Sequence, residues 1–291
     1  MRSRIFSLMI LLLTIPLLAH SAYADSISLG NVAPFAVLAG SAVTNTGPTT
    51  IDGNVGLWPG PVSALIGTGL CPGANCLNLT GTIDATNGVA MNAQGDLTTL
   101  YTTLGGAKPL TADLTGKDLG GLTLTPGVYK FSSSAQLTGT LTLDAQNNPN
   151  AVWIFQIGST LTTASGSEVS IINQASNANN GLFWQVGSSA TLGTTTDFEG
   201  NIVALTSITM LTGATDDCGR ILARNGSVTL DNNTIGIGCT GEDVSNESGS
   251  GGLSGGGSSE GGGGGGVAPE PDTLLLAGCG ILALLALRRH S

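Results

Sequence analysis

Along Ser189-Ala190-Thr191-Leu192 small apolar residues alternate with hydroxyls, so Ala190 and Leu192 point to one side and Ser189 and Thr191 to the other. That is the period-two pattern of a strand with one wet face. It recurs in Ser207-Ile208-Thr209 and Ser227-Val228-Thr229. Other short runs, Ala151-Val152-Trp153-Ile154-Phe155, Gly181-Leu182-Phe183-Trp184 and Asn201-Ile202-Val203-Ala204-Leu205, are apolar on both sides and must be covered. Between Thr138 and Thr234 a small hydroxyl-rich step follows each alternating segment: Thr138-Gly139-Thr140, Ser165-Gly166-Ser167, Thr194-Thr195-Thr196, Thr212-Gly213-Ala214-Thr215 and Asn232-Asn233-Thr234. Gln156-Ile157-Gly158-Ser159 returns 29 residues later as Gln185-Val186-Gly187-Ser188, and the segment from Asp197 to Ala204 returns 19 later as Asp216 to Ala223. A period near 20 with insertions predicts a solenoid whose coils place these steps one above another on one side.

One segment keeps a different period. Val89, Ala93, Leu97, Leu100 and Leu104 form a helical stripe, and Thr82 or Asp84 can cap its start, predicting a helix over about 84–106. Such a helix supplies the cover that the fully apolar strands require. Phe35 to Thr44 already reads like a coil of the later array, with Thr49-Thr50-Ile51 in the hydroxyl position. The expected order is an N-terminal coil region, a helical insertion and a second run of coils.

The ends differ in kind from the middle. Arg2 and Arg4, the apolar run Ile5 to Leu18 and Ala22-Tyr23-Ala24 have the form of a signal peptide over 1–24, so the mature chain is expected to start at Asp25 outside the cytoplasm. Residues 25–239 form the expected folded domain. Both histidines, His20 and His290, lie outside it, which removes most acid–base and metal chemistry near neutral pH, and no cofactor or metal is expected. Five Lys or Arg face 13 Asp or Glu within it, so nucleic acid, which needs a basic footprint, is not an expected partner. Threonine is abundant, 32 residues from Thr44 to Thr234; its branched Cβ suits a pleated strand and carries a methyl and a hydroxyl on one stiff stalk.

Extracytoplasmic cysteines can persist as disulfides. Cys71 and Cys76 can close a tight loop, and Cys218 and Cys239, about one coil apart, are expected to be bridged. Zinc is possible on cysteine count alone, but no second C-x-x-C pair supports it. Residues 240–268 are a Gly/Ser-rich linker unable to bury a core. Beyond it, 269–291 contain Pro269-Glu270-Pro271, the apolar run Leu274 to Leu287 and Arg288-Arg289. This arrangement resembles the PEP-CTERM sorting signal of Gram-negative bacteria, which implies an exosortase-type processing enzyme as partner and display at the cell surface or in the matrix. Membrane contact is expected only through this segment, a plain C-terminal anchor being the other reading.

Longer motifs run through the middle: Phe35 to Ser41, Thr44-Asn45-Thr46-Gly47, Leu124-Thr125-Pro126-Gly127-Val128-Tyr129, Trp184 to Thr194 and Ala223-Arg224-Asn225-Gly226. Together they resemble the microbial ice-binding protein family over Ser28 to Cys239. The resemblance implies an all-β fold, a discontinuous right-handed β-solenoid of triangular section with one long α-helix alongside, and adsorption to ice through one flat face. The family pattern Thr-Ala/Gly-x-Thr/Asn is met by Thr212 to Thr215 and departs at Thr194 to Asp197, where Thr195 and Asp197 replace the expected types. Two outward rows can form that face, the Ser189/Thr191, Ser207/Thr209, Ser227/Thr229 row and the step row. Because the step row holds the family pattern, the expected contacts are Thr138, Thr140, Ser165, Ser167, Thr194, Thr196, Thr212, Thr215 and Thr234.

Rival functions lack their chemistry. A β-helix polysaccharide lyase needs carboxylates clustered for calcium beside a basic residue, and the only adjacent acids in the domain are Asp216-Asp217. Serine nucleophiles lack a histidine, and no phosphate loop follows a strand. A non-catalytic adhesin or matrix protein binding exopolysaccharide is the remaining alternative, although Trp153 and Trp184 sit in apolar strands rather than on an open platform.

Overall fold

The computed structural model describes residues 27–71, 76–176, 178 and 180–237, all within one compact unit. The expected signal peptide, the linker, the sorting segment and Cys239 lie outside these residues. Each full coil gives one strand to each of three parallel sheets. Asn201–Ala204, Ile208–Met210 and Thr215–Asp216 are one such set. The helix-side sheet has nine strands, the second seven and the third eight.

Stacking does not follow the chain. Phe35–Ala39 pairs on one side with Asn54–Leu57, the next coil, and on the other with Ile221–Ala223, from the last. The same seam joins Ala42–Asn45 to Ser227–Leu230 and Thr49–Asp52 to Thr234–Gly236. The chain therefore starts in the middle of the stack and builds to one end. Helix α1 (Gly88–Gly106) then carries it back along the helix-side sheet, and the later coils grow inward until they meet the first. At 1.5 Å per residue a helix of 19 residues reaches about 28 Å, most of the way along such a sheet.

The strands that are apolar on both sides make the helix-side sheet. Their inner residues, among them Trp153, Phe155, Trp184 and Ile202, fill the solenoid core. Their outer residues Leu38, Val128, Ile154, Phe183, Val203 and Leu222 pack with Ala93, Leu97, Leu100 and Leu104 of α1. Within the core Phe155 and Trp184 stack at 4.0 Å between ring centroids, flanked by Tyr129 and Phe198. Polar clamps fix the helix: Gln156 Nε2 donates to the Leu104 and Ala107 carbonyls, and Arg224 Nε donates to Thr98 Oγ1.

The helix begins later than its pattern predicts. Asn87 is the N-cap, accepting from the Ala90 amide at 2.9 Å, while Thr82 donates to Asp84 and Asp84 accepts from Asn87. The two predicted caps are thus occupied in the strand and turn before the helix. With the start at Gly88, the buried stripe runs through Ala90 and Ala93, and Val89 is 51% exposed. Cys71 and Cys76 are bridged, as the spacing allows. Cys218 is also disulfide-bonded.

Between the second and third sheets, five coils turn through a residue with positive φ: Gly139, Gly166, Thr195 (55°), Gly213 and Asn232 (55°). In four of them the next residue, Ser167, Thr196, Ala214 or Asn233, is buried. Ser167 Oγ donates to the Leu137 carbonyl at 3.0 Å and Thr196 Oγ1 to that of Ala164 at 3.2 Å. Asn233 Nδ2 serves the carbonyls of Leu211 and Ala214. These side chains satisfy corner carbonyls that water cannot reach. Ser167 and Thr196 are therefore not surface residues, contrary to the step row as read from the sequence.

Thr195 is the β-branched residue in a left-handed row otherwise made of glycine and asparagine. Relieving a left-handed cost of about 1–2 kcal/mol, Thr195→Gly is expected to raise stability by roughly 0.5–1 kcal/mol after the entropy that glycine adds to the unfolded chain. Thermal unfolding followed by circular dichroism checks this, and a lower melting temperature would refute it.

Candidate binding face

The outer surface of the second sheet is built by one repeated tripeptide pattern: a buried apolar residue, an outward threonine, then a buried residue, as in Leu161-Thr162-Thr163, Ala190-Thr191-Leu192 and Ile208-Thr209-Met210. The backbone register aligns these threonines. Gln136 faces Thr162, then Thr191, Thr209, Thr229, Thr44 and finally Ile66. Five threonines thus stand in one ladder at the interstrand spacing of about 4.7–4.9 Å. Their χ1 stiffness holds each methyl and hydroxyl in a fixed direction. None of the five hydroxyls bonds another protein group among the described residues, so all five are free for water. No Asp, Glu, Lys or Arg occurs in the seven strands of this sheet. A parallel row, Ser189, Ser207 and Ser227, lies two residues back along the strands, two of its hydroxyls accepting the backbone amides of Ser207 and Ser227.

The third sheet also carries outward polar residues, but of another kind. Its first row reads Thr140, Glu168, Asp197, Thr215, Thr234, Thr50 and Asn78. Thr140 Oγ1 donates to Glu168 at 3.2 Å and Thr215 Oγ1 to Asp197 at 3.0 Å. Glu199 and Asp217 follow two residues further on. Burial, reinforced by the neighbouring charges of Asp197 and Glu168, pushes the Glu199 carboxyl up from 4.5 to about 7. Burial and then Asp197 also raise Asp217. Among the described residues no group of three or more His, Cys, Asp or Glu is arranged to hold a metal ion.

The nine predicted contacts scatter across this geometry. Ser167 and Thr196 point into the corner. Thr140 and Thr215 lie on the acidic sheet with hydroxyls given to carboxylates, and Thr234 lies beside them, exposed. Thr138, Ser165, Thr194 and Thr212 sit at the corner between the two sheets, Thr212 donating to Asp231. The structure does not bring the nine together on one face. It brings together the other row, to which Thr44 and Thr162 must be added. Their signal was present in the sequence, a threonine flanked by core residues as in Val43-Thr44-Asn45 and Leu161-Thr162-Thr163.

Glu199 gives a pH dependence with a definite sign. Between about pH 4.5 and 7 the unfolded chain releases the Glu199 proton while the folded protein keeps it, so stability falls as pH rises across that window. Glu199→Gln removes the effect. The variant is expected to melt higher than the parent at pH 8 and close to it at pH 4; a melting-temperature difference that is the same at both values would contradict this origin.

The profile of the Ice-binding-like family matches residues 37–236. An ice-binding protein of Nostoc sp. (strain HG1) is 49% identical over 266 residues, covering 91% of this chain and 87% of the relative. One from Colwellia sp. is 33% identical, covering 76% and 90%. The crystal structure of an ice-binding protein from an Antarctic biological consortium superposes with a TM-score of 0.65 at 44% identity, over 72% of this chain and 90% of that one. That of the ascomycete Antarctomyces psychrotrophicus gives 0.63 at 36%, over 72% and 97%. With its profile match spanning the three-sheet stack and relatives this similar over most of their length, the chain belongs to the Ice-binding-like family.

Proposed function

We propose that this protein binds ice, and that it does so through the threonine ladder of the second sheet rather than through the step row. The ladder of Thr162, Thr191, Thr209, Thr229 and Thr44 carries this reading: it is in register, its hydroxyls are unspent, and its sheet is uncharged. Ice offers a protein in liquid water neither charge nor a unique shape, so recognition has to come from many weak contacts repeated at a lattice spacing. Methyls discourage competing hydration and hydroxyls hold waters in place, while stiff rotamers reduce the ordering cost. On the third sheet Glu168 and Asp197 would have to give up strongly held water, which opposes adsorption there. The helix-side sheet is covered by α1.

No catalytic step enters this reading. Nor does exopolysaccharide binding gain support: the aromatic stack of Tyr129, Phe155, Trp184 and Phe198 lies inside the core, and the half-buried Trp58 and Tyr101 stand apart from it, after Asn54–Leu57 and on α1. The solenoid is taken to wind right-handed, the hand of parallel β crossovers. The leader over 1–24 and the Pro269-Glu270-Pro271 tail support export and surface attachment through an exosortase, so that the cell carries its ice-binding face outside.

Ice-affinity partition of the protein tests the activity, and paired substitutions test the face. A flat match cannot tolerate a protruding ring, while an outward position contributes little to stability. Thr209→Tyr is expected to abolish retention by growing ice and thermal hysteresis at an unchanged melting temperature, whereas Thr234→Tyr on the acidic sheet retains both. The reverse result would return the face to the third sheet. Chelation with EDTA is expected to leave recrystallisation inhibition unchanged; its loss with the fold intact would require a metal in the mechanism.

A further inference from the structure

We infer that Ile66 is the terminal ice-contact residue of the threonine ladder, so that what is constant along the row is the branched Cβ and its methyl, and not the hydroxyl. The inference rests on the ice-binding reading above and extends it by one residue type and one coil. Ile66 pairs directly with Thr44 in the same parallel register that aligns the five threonines. Its neighbour Leu65 packs against the core, so Ile66 points outward, and it is 56% exposed. Isoleucine and threonine share the branch at Cβ and the rotamer stiffness that follows from it, and differ in having an ethyl group or a hydroxyl on the second arm. Ile66 therefore repeats the methyl of each ladder threonine, without its oxygen.

Its position is held by the fold. The residue after it, Gly67, takes a positive φ, and the buried Asn45 Nδ2 donates to the Gly67 carbonyl at 3.1 Å. The same Asn45 side chain serves the carbonyls of Gly47 and Cys76, tying this last coil to its neighbour. An exposed end strand is commonly defended by lysine, proline or an inward charge. The opposite end of the sheet follows that practice: the ladder stops at Thr162, its neighbour there is Gln136, and beyond it Asp118 bridges to Gln136 through the backbone and presents a carboxylate bonded to the Gly120 and Thr138 amides. One end of the face is closed by charge and the other is continued by an aliphatic side chain. Continuity with the ladder selects the ice surface as what Ile66 meets.

The test compares Ile66→Lys, Ile66→Thr and Val62→Lys in the full chain, with Thr209→Tyr alongside. Val62 is 57% exposed on the same end coil but lies off the row. Thermal hysteresis and ice retention are read together with melting temperature. Ile66→Lys is expected to lower hysteresis about twofold or more, since contacts acting jointly lose more than their numerical share, while Ile66→Thr and Val62→Lys keep parent activity. Full activity in Ile66→Lys would overturn the inference, as would equal losses in Ile66→Lys and Val62→Lys, or an equal loss in Ile66→Thr. Thr209→Tyr separates the two levels. If it stays active the whole face is misassigned and the inference falls with it; if it is inactive while Ile66→Lys is active, the ladder ends at Thr44 and the ice-binding reading stands.

Discussion

Parallel backbone hydrogen bonding between successive coils fixes everything else in this molecule. It sets one distance between neighbouring strands, and because side chains alternate along each strand, it also sets which residues share a surface. Once Leu161, Ala190, Ile208, Val228 and Val43 face the core, the threonine after each has no choice but to stand outward, in line with its neighbours. The ladder is a consequence of core packing in the same way that the core is a consequence of the ladder of backbone bonds. Recognition of a crystal through such a surface asks nothing of a pocket, a metal or a titrating group.

The three sheets divide the labour by what covers them. The helix-side sheet is apolar on both surfaces and is shielded by α1. The third sheet carries the carboxylates Glu168, Asp197, Glu199 and Asp217, and burial, reinforced by Asp197 and Glu168, makes Glu199 resist ionisation. The second is left neutral and hydroxylated. Carboxylates on the third sheet keep it well hydrated, while the strands of the second sheet carry none.

Much of this was legible in the sequence because it depends on local alternation. The repeated strands, the cover by a helix, the return of the N-terminal coil in the later array and the Cys71–Cys76 closure all follow from patterns within a few residues. The burial of step-row residues has one physical cause, a change of parity at the corner of the coil. Gly166, Thr195 and Asn232 adopt the left-handed conformation, and after each of these the following side chain turns inward. Ser167 and Thr196 thereby become internal donors, although their hydroxyls look no different in the sequence from those of Thr162 or Thr191. At the helix start, Thr82 and Asp84 have capping chemistry but spend it on each other and on Asn87, which moves the first turn to Gly88.

The seam in the middle of the stack has a consequence for biosynthesis. Thr44 and Thr229 are neighbours on the ladder, yet the chain between them must be completed before they meet. Until Ser227–Leu230 and Thr234–Gly236 arrive, the first coil presents open strand edges in all three sheets, the kind of surface that recruits other chains. Arg220 helps fasten the closure, its guanidinium donating to the Ala33 carbonyl on one side and to Asn201 on the other. Contacts this distant along the chain slow folding. A ribosome product truncated before the last coil would therefore lack more than its final strands: its ladder would be cut in two, with both halves left to aggregate or be degraded.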